Sequence, residues 1–335
     1  MYKKRKILVV YQWVSMYPWK IPTPVQRDVE LLNEDFDVEL FSFNYFNLPL
    51  LYFKIFKSDL ILAWFAADHA FFSSLFTRFI KRPLVLVIGG YDVASIEELR
   101  YGSLRTPVTR AMVRYALKHS DKVLTVDESL KDDAIKRAGV DGKNIETVST
   151  GYDDNIFKPE GKKEDMVLTV SLTNDWNRVR LKGLDTFVKA AKFLPDTKFL
   201  VIGVIEKAKE KLKLNSSPNV ELLGPLYQEK LISYYQKAKV YCQLSMREGL
   251  PNTVCEAMLC ECVPVGTHVE GIHTAIGNTG FYVDHGDTQG TVQAIKKALS
   301  STDKLGRKAR EHIQNNFSFE KRKHILTDII NKLLK

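Results

Sequence analysis

Short apolar runs alternate along the chain with stretches whose apolar residues recur every three or four positions. That alternation is the signature of parallel sheets crossed by helices. The runs fall into two series. The first comprises Lys6 to Tyr11, Val38 to Phe43, Leu60 to Trp64, Leu84 to Ile88, Lys122 to Val126 and Ile145 to Val148. The second comprises Met166 to Val170, Lys198 to Ile202, Val220 to Leu222, Val240 to Leu244 and Cys262 to Val265. Between them, Gly151-Tyr-Asp-Asp-Asn-Ile-Phe-Lys-Pro159 and the polar stretch Glu160 to Asp165 read as a linker. A last amphipathic helix opens at Phe317-Ser-Phe-Glu320 and runs to Leu334, with Ser318 as its cap. The pattern predicts two doubly wound α/β domains, 1–152 and 166–316, a linker over 153–165 and a terminal helix over 317–335. Ligands of such sheets bind at the carboxyl ends of the strands.

Composition narrows the class. The 335 residues are 45% hydrophobic and 27% charged, enough for two domains with full cores and incompatible with disorder. The most apolar stretch, Leu48 to Asp59, carries charges and a proline, so no transmembrane helix is expected. Met1-Tyr-Lys-Lys-Arg-Lys6 leads into Ile7-Leu-Val-Val10, too short for a signal-peptide core, and a cytoplasmic location is expected. All four cysteines lie between Cys242 and Cys262, with His268 and His273 nearby. They lack the paired Cys-x2-Cys spacing of a zinc site and read as small buried thiols.

The chemistry concentrates in Ser245-Met-Arg-Glu-Gly-Leu-Pro-Asn-Thr-Val-Cys-Glu-Ala-Met-Leu-Cys-Glu-Cys-Val-Pro-Val265. The strand before it is broken at Gly249 to Asn252, and Pro251 suits the first turn of a helix reaching about Leu259. The amides of Leu250, Asn252 and Thr253 would then point out of a helix N-terminus, where a diphosphate gains hydrogen bonds and the positive dipole end. Glu248 would lie in the loop and address a sugar. Glu256, on the helix with seven residues between the two acids, can take both hydroxyls of a ribose. The arrangement reads as a grip for a nucleotide-sugar.

The same stretch resembles the Glu-x7-Glu signature of the retaining GT-B glycosyltransferases, glycosyltransferase family 4 (glycosyl transferases group 1) in particular. Val263-Pro-Val-Gly-Thr267, Glu270-Gly-Ile272, Gly280-Phe-Tyr-Val283 and Gly286-Asp287 resemble the strand, loop and strand beyond the signature there, and the Gly151 to Pro159 segment resembles the family's hinge. The resemblance implies two Rossmann-like domains facing across a cleft, the last helix crossing back to the first. It identifies Lys182-Gly183 as a Lys-Gly phosphate site, with Arg178 or Arg180 as the accompanying arginine. It implies transfer with retention of anomeric configuration, the leaving phosphate taking the acceptor proton and Glu248 positioning the sugar rather than acting as nucleophile. No metal or other cofactor is expected, since fixed cations serve the diphosphate. The base would contact Leu223 to Leu226. The donor would be a UDP- or GDP-sugar and the acceptor a saccharide or lipid-linked glycan of surface polysaccharide or glycolipid. Other readings are a nucleotide-sugar-binding subunit without turnover and a sugar-nucleotide epimerase.

The chain departs from the family at three places. Ser171-Leu172-Thr173 replaces Gly-Arg-Leu, with a longer loop after it. Gly89 stands where the family carries a histidine in Ile88-Gly-Gly-Tyr-Asp92, although Asp92 matches and is expected near the sugar, and Tyr91 offers a hydroxyl. Gln12 to Pro24 replaces a glycine-rich loop. Asp35-Phe-Asp37, similar to a metal-binding Asp-x-Asp, leads into a strand and is read as a turn. The net charge of +9 and pI near 9.1 are matched by a basic stripe of Arg110, Arg114 and Lys118 beside Arg105. Together with Lys3 to Lys6 and Arg78, Lys81 and Arg82 beside Phe71, Phe72, Phe76 and Phe79, the stripe suits peripheral contact with an anionic membrane. No nucleic-acid motif accompanies the charge.

Overall fold

The computed structural model describes residues 4–12 and 21–335, so Lys3 and most of the Gln12 to Pro24 segment lie outside the described residues. Two compact units divide the chain: residues up to Gly151 with Phe319–Lys335, and Tyr152–Ser318.

The first unit is built on six parallel strands, β1 (Lys6–Gln12), β2 (Asp37–Phe43), β3 (Leu60–Trp64), β4 (Leu84–Ile88), β5 (Lys122–Thr125) and β6 (Ile145–Thr147), ordered β2-β1-β3-β4-β5-β6. Every residue of β3 and β4 is buried, as the uninterrupted apolar runs require of strands covered on both faces. Helices α1 (Thr23–Asn33), α2 (Leu48–Phe56), α3 (Asp68–Ile80), α4 (Pro107–His119) and α5 (Glu128–Asp133) make the crossovers. The order in which strands are added across the sheet reverses after β2, so right-handed crossovers put α1 on one face and α2, α3 and α4 side by side on the other. Aromatic pairs knit that layer: Tyr52 meets Phe76 at 5.2 Å and Phe71 meets Tyr115 at 5.3 Å between ring centres. Asp35 and Asp37 flank buried Phe36 in the turn from α1 to β2.

The second unit repeats the plan with β7 (Glu164–Thr173), β8 (Lys198–Val204), β9 (Val220–Leu223), β10 (Ala238–Gln243), β11 (Val263–Thr267) and β12 (Phe281–Val283), ordered β12-β11-β10-β7-β8-β9. Its helices are α6 (Trp176–Leu181), α7 (Leu184–Ala191), α8 (Glu206–Asn215), α9 (Gln228–Lys237), α10 (Asn252–Leu259), α11 (Glu270–Ile276), α12 (Thr288–Ser300) and α13 (Asp303–Asn316). The stretch expected as a linker is packed against this unit. Phe157 is buried, and Arg310 of α13 donates to the carbonyls of Phe157 at 2.8 Å and Asp154 at 3.0 Å and to that of Leu259 at the end of α10. A cation on the last carbonyls of a helix is also well placed in its dipole field. The four cysteines are free and buried, with burial pushing the Cys242 thiol up. Cys262 bonds the carbonyls of Tyr235 and Ala238, both at 3.1 Å. Among the described residues, no helix is long and apolar enough to cross a membrane.

Helix α14 (Phe319–Leu333) belongs to the first unit, held there by buried Leu326, Ile329 and Ile330, by the Lys323–Glu34 ion pair and by Arg322. Arg322 forms a bidentate pair with Asp28 of α1 at 2.6 and 2.7 Å and donates to the carbonyls of Val148 and Ser149 after β6. Asp28 also accepts from the Trp64 indole at 2.8 Å. Arginine and aspartate are each about 1% exposed, so the ion pair is complete only because every donor around Asp28 is used. Arg322→Ala leaves Asp28 buried without its countercharge and is expected to cost about 3–5 kcal/mol, whereas Arg322→Met with Asp28→Leu recovers part of the loss, the Trp64 indole N–H remaining unpaired; urea unfolding followed on both variants measures this.

His69, at the start of α3, bonds the Trp64 carbonyl at 2.7 Å, and burial pushes its imidazole down to about 4. The unfolded chain takes this proton near the ordinary histidine value, the folded chain only near 4, so stability falls as pH drops through that window. The slope is about 1.4 kcal/mol per pH unit for the one proton. His69→Leu is expected to remove that slope from the pH dependence of the unfolding free energy between neutral pH and 4.

Candidate functional site

In the second sheet β8 and β9 extend to one side of β7 while β10, β11 and β12 extend to the other. The order therefore reverses between β7 and β10, and the space outside the carboxyl ends of those two strands is where a doubly wound sheet offers a ligand site. Both predicted clusters lie there. After β7 the chain enters α6 and reaches Lys182; after β10 it runs through Ser245 to Glu248.

Lys182 and Glu248 meet directly, Nζ to Oε1 at 2.6 Å, in a pair whose side chains are 21% and 13% exposed. The same oxygen accepts from Ser245 Oγ at 2.7 Å and from Gln243 Nε2 at 2.9 Å. Among the described residues none donates to Oε2. One carboxylate oxygen is thus saturated by three donors and the other retains its accepting capacity. Gln243 is itself held, its Oε1 taking the Tyr241 hydroxyl at 3.2 Å and its Nε2 reaching Ser245 Oγ at 2.9 Å. Thr267 at the end of β11 donates to the Ser245 carbonyl at 2.6 Å.

Backbone geometry brings the two clusters together. The Met246 amide donates to the Leu181 carbonyl at 2.7 Å. Gly183 has φ +65°, and a Cβ there would lie 2.1 Å from the Leu244 carbonyl, so both the left-handed turn and the close approach demand glycine. At Gly271 the Gly249 carbonyl would stand 1.4 Å from a Cβ, which accounts for glycine in Glu270-Gly-Ile272.

Helix α10 begins at Asn252 with Pro251 in the cap position, and no side chain caps it. Asn252 and Thr253 therefore supply first-turn amides, while Leu250 lies outside the helix with its side chain buried. The Asn252 side chain accepts from the Tyr152 hydroxyl at 2.9 Å. Glu256 is 6% exposed, and its Oε2 accepts from Tyr235 at 3.0 Å. Burial, then the Glu256 charge, pushes the Tyr235 hydroxyl well above its ordinary value, so it remains a donor.

The stretch expected as a long loop after β7 contains α6, capped by Asp175, which accepts from the Arg178 amide at 2.9 Å. The helix separates the two arginines. Arg178 is one helical turn before Lys182 and shares its face, whereas Arg180 is exposed on the opposite side. Asn174 Oδ1, just past the end of β7, is buried without a hydrogen-bond partner. Leu223 ends β9, half-buried at the same edge of the sheet.

In the first unit Asp92 is 2% exposed and accepts from the amides of Ala66 and Gly89 at 2.7 Å and Gly90 at 3.2 Å. Burial pushes its carboxyl up while these amides pull it down. The carboxylate, expected near a sugar, is enclosed here and ties the loops after β3 and β4 together. Phe65, at the end of β3, has φ +71°, a strained conformation for an aromatic residue. A Cβ on Gly89 would lie 2.8 Å from its ring. The place of the family's histidine is therefore covered by Phe65. Gly89→His is expected to lower the melting temperature, and adding Phe65→Gly, which suits the positive φ and removes the ring, to restore most of it.

Gln243, Ser245 and Tyr235 complete the site but were not singled out from the sequence. The available signal was a glutamine at the end of the otherwise apolar run Val240 to Leu244, because a buried polar side chain requires partners.

Comparison with known proteins agrees with this geometry. Residues 167–301 match the family described as glycosyl transferases group 1. The chain is 25% identical over 280 residues to the capsular polysaccharide biosynthesis glycosyltransferase CapM of Staphylococcus aureus, covering 76% of this chain and 72% of CapM. It is 24% identical over 204 residues to the O-antigen chain mannosyltransferase RfbU of Salmonella typhimurium, covering 59% of this chain and 56% of RfbU, a little over half its length. The crystal structure of Anabaena HepE in complex with UDP superposes with a TM-score of 0.79 at 16% identity, covering 98% of this chain and 100% of HepE.

Proposed function

We propose that the chain is a retaining glycosyltransferase using a UDP- or GDP-sugar, a reading supported by the match of residues 167–301 to the family described as glycosyl transferases group 1 and by the fold shared with HepE. Its acceptor is a saccharide or lipid-linked glycan in polysaccharide or glycolipid assembly, in keeping with the resemblance to CapM. The observation that carries the reading is the Lys182–Glu248 contact at the switch point of the second sheet, beside the uncapped start of α10.

In this reading the diphosphate lies between the first-turn amides of Asn252 and Thr253 and the cations of Lys182 and Arg178, next to Gly249 and Pro251. The bond from the anomeric carbon to the phosphate oxygen breaks and its electron pair leaves with the phosphate. An acceptor hydroxyl bonds the anomeric carbon from the same face and passes its proton to the departing phosphate. Lys182 and Arg178 stabilise the negative charge that develops there, a task fixed dipoles and cations perform without reorganisation. No metal is called on, because those cations carry the charge. Glu248 Oε2 accepts from a sugar hydroxyl, while the three donors on Oε1 keep the carboxylate aimed. Glu256 binds the ribose hydroxyls, and Leu223 borders the base.

UDP or GDP, added without metal at about a hundred times its dissociation constant, is expected to stabilise the folded chain by about 2.7 kcal/mol. Glu256→Ala loses the thermal shift; no shift with UDP, GDP or ADP on the wild type would refute the donor site. Lys182→Ala is expected to lower kcat about 10²–10³-fold and to raise the donor KM by a smaller factor, since it meets the diphosphate in the ground state and the further charge that develops in the transition state; steady-state transfer kinetics separate the two.

A further inference from the structure

The helix layer α2–α3–α4 of the first unit presents an outer surface of unusual composition. A helix on the outside of a domain normally turns its apolar stripe inward and its polar residues outward. Helix α2 buries Leu51 and Ile55 but turns Leu50, Phe53 and Phe56 outward, 46%, 47% and 59% exposed. Phe46, in the short turn before α2, is 99% exposed, and Phe79 near the end of α3 is 74% exposed. Contiguous exposure of this kind marks a surface that meets something apolar.

Charge on the same layer is predominantly positive. Across α2, α3 and α4 the cations are Lys54, Arg78, Arg110, Arg114 and Lys118, against a single carboxylate, Asp68, which is engaged by the Tyr45 hydroxyl. Arg110, Arg114 and Lys118 are exposed at a spacing of four on α4, and Lys57 lies 4.2 Å from the centre of the Phe53 ring. The aromatic residues the sequence had placed beside these cations, Phe71, Phe72 and Phe76, pack within the layer instead, and of that group only Phe79 is largely exposed. Arg105 is held by the Arg100 carbonyl and Glu97. Lys4 and Lys6 are likewise engaged, Lys4 by carbonyls at the end of α1 and Lys6 by Glu39.

We propose that the outer face of α2–α3–α4 is a docking surface for an anionic lipid bilayer, with Phe46, Leu50, Phe53, Phe56 and Phe79 entering the acyl boundary and Lys57, Arg78, Lys81, Arg114 and Lys118 meeting the headgroups. Large aromatic and aliphatic side chains flanked by lysine and arginine on a helix lying in the interface plane are what such a boundary holds. Lys54 is paired with Glu39 and Lys118 lies near Asp141, but the helices themselves carry five cations to one carboxylate; a protein partner accounts for the apolar residues alone, while an anionic surface accounts for them and for the excess of cations. The proposal stands apart from the nucleotide reading, since none of these side chains belongs to the donor site.

Co-sedimentation of the full chain with vesicles tests it, using phosphatidylcholine with about one quarter phosphatidylglycerol against pure phosphatidylcholine, at about 0.05 M and 0.5 M salt. Wild type is expected to bind the anionic vesicles at low salt and lose at least about tenfold in affinity at high salt or on neutral lipid. Two variants separate the two contributions. Phe46→Ser/Phe53→Ser/Phe56→Ser is expected to weaken binding at both salt levels, and Arg114→Glu/Lys118→Glu only at low salt. These side chains are exposed, so an unchanged melting temperature verifies folding. Absence of wild-type binding to anionic vesicles, or equal binding by both folded variants, overturns the proposal, as does self-association abolished by the Phe variant without any vesicle binding.

Discussion

One oxygen atom organises the second unit. Glu248 Oε1 takes bonds from Lys182, Gln243 and Ser245, which come from the segment after β7, the end of β10 and the loop beyond it. Their convergence fixes the ends of two adjacent strands against each other. The geometry depends on a left-handed glycine at position 183 and on the close passage of Gly271, and it leaves the second oxygen of the carboxylate unused. A partly buried carboxylate beside an ammonium group costs desolvation, and the two additional donors offset that cost. Complete satisfaction on one side and none on the other gives the acid a direction.

The two units solve the same packing problem and use the carboxyl ends of their sheets differently. In the second, polar side chains converge at the switch point. In the first, Asp92 is enclosed by amides and Phe65 is forced to a positive φ with its ring over Gly89. Strain of this kind persists only where the surroundings enforce it. The surroundings here are the loops that Asp92 ties, so the carboxylate's contribution is to hold Phe65 in place. The second unit thus gathers polar side chains at the ends of its strands, while the first sets an aromatic wall there.

The strands were legible because parallel strands covered on both faces are uninterrupted apolar runs, and nearly all were placed within two residues of where they lie. Helix α6 escaped because six residues are too few to show a period, although Asp175 ahead of it was a readable cap. Glu248 and Lys182 were singled out separately, but their contact joins positions 66 apart in sequence, and only the folded sheet brings them together. Phe157 and Arg310 made a segment that reads as a linker part of a packed unit. The outward stripe of α2 was hidden for the opposite reason: apolar residues are read as core, and pattern alone does not say which side of a helix is buried.

The Arg322–Asp28 pair sets an order of events during synthesis. Asp28 leaves the ribosome early, yet its guanidinium partner is 294 positions further along. Until α14 emerges, the first unit has a carboxylate in its interior without that countercharge, and the carbonyls of Val148 and Ser149 lack their donor. The second unit, contiguous from Tyr152 to Ser318, has no such requirement and can close first. Nascent chains halted before residue 322 should therefore carry a finished second half and an unsettled first half, so that the portion made first is the portion that matures last.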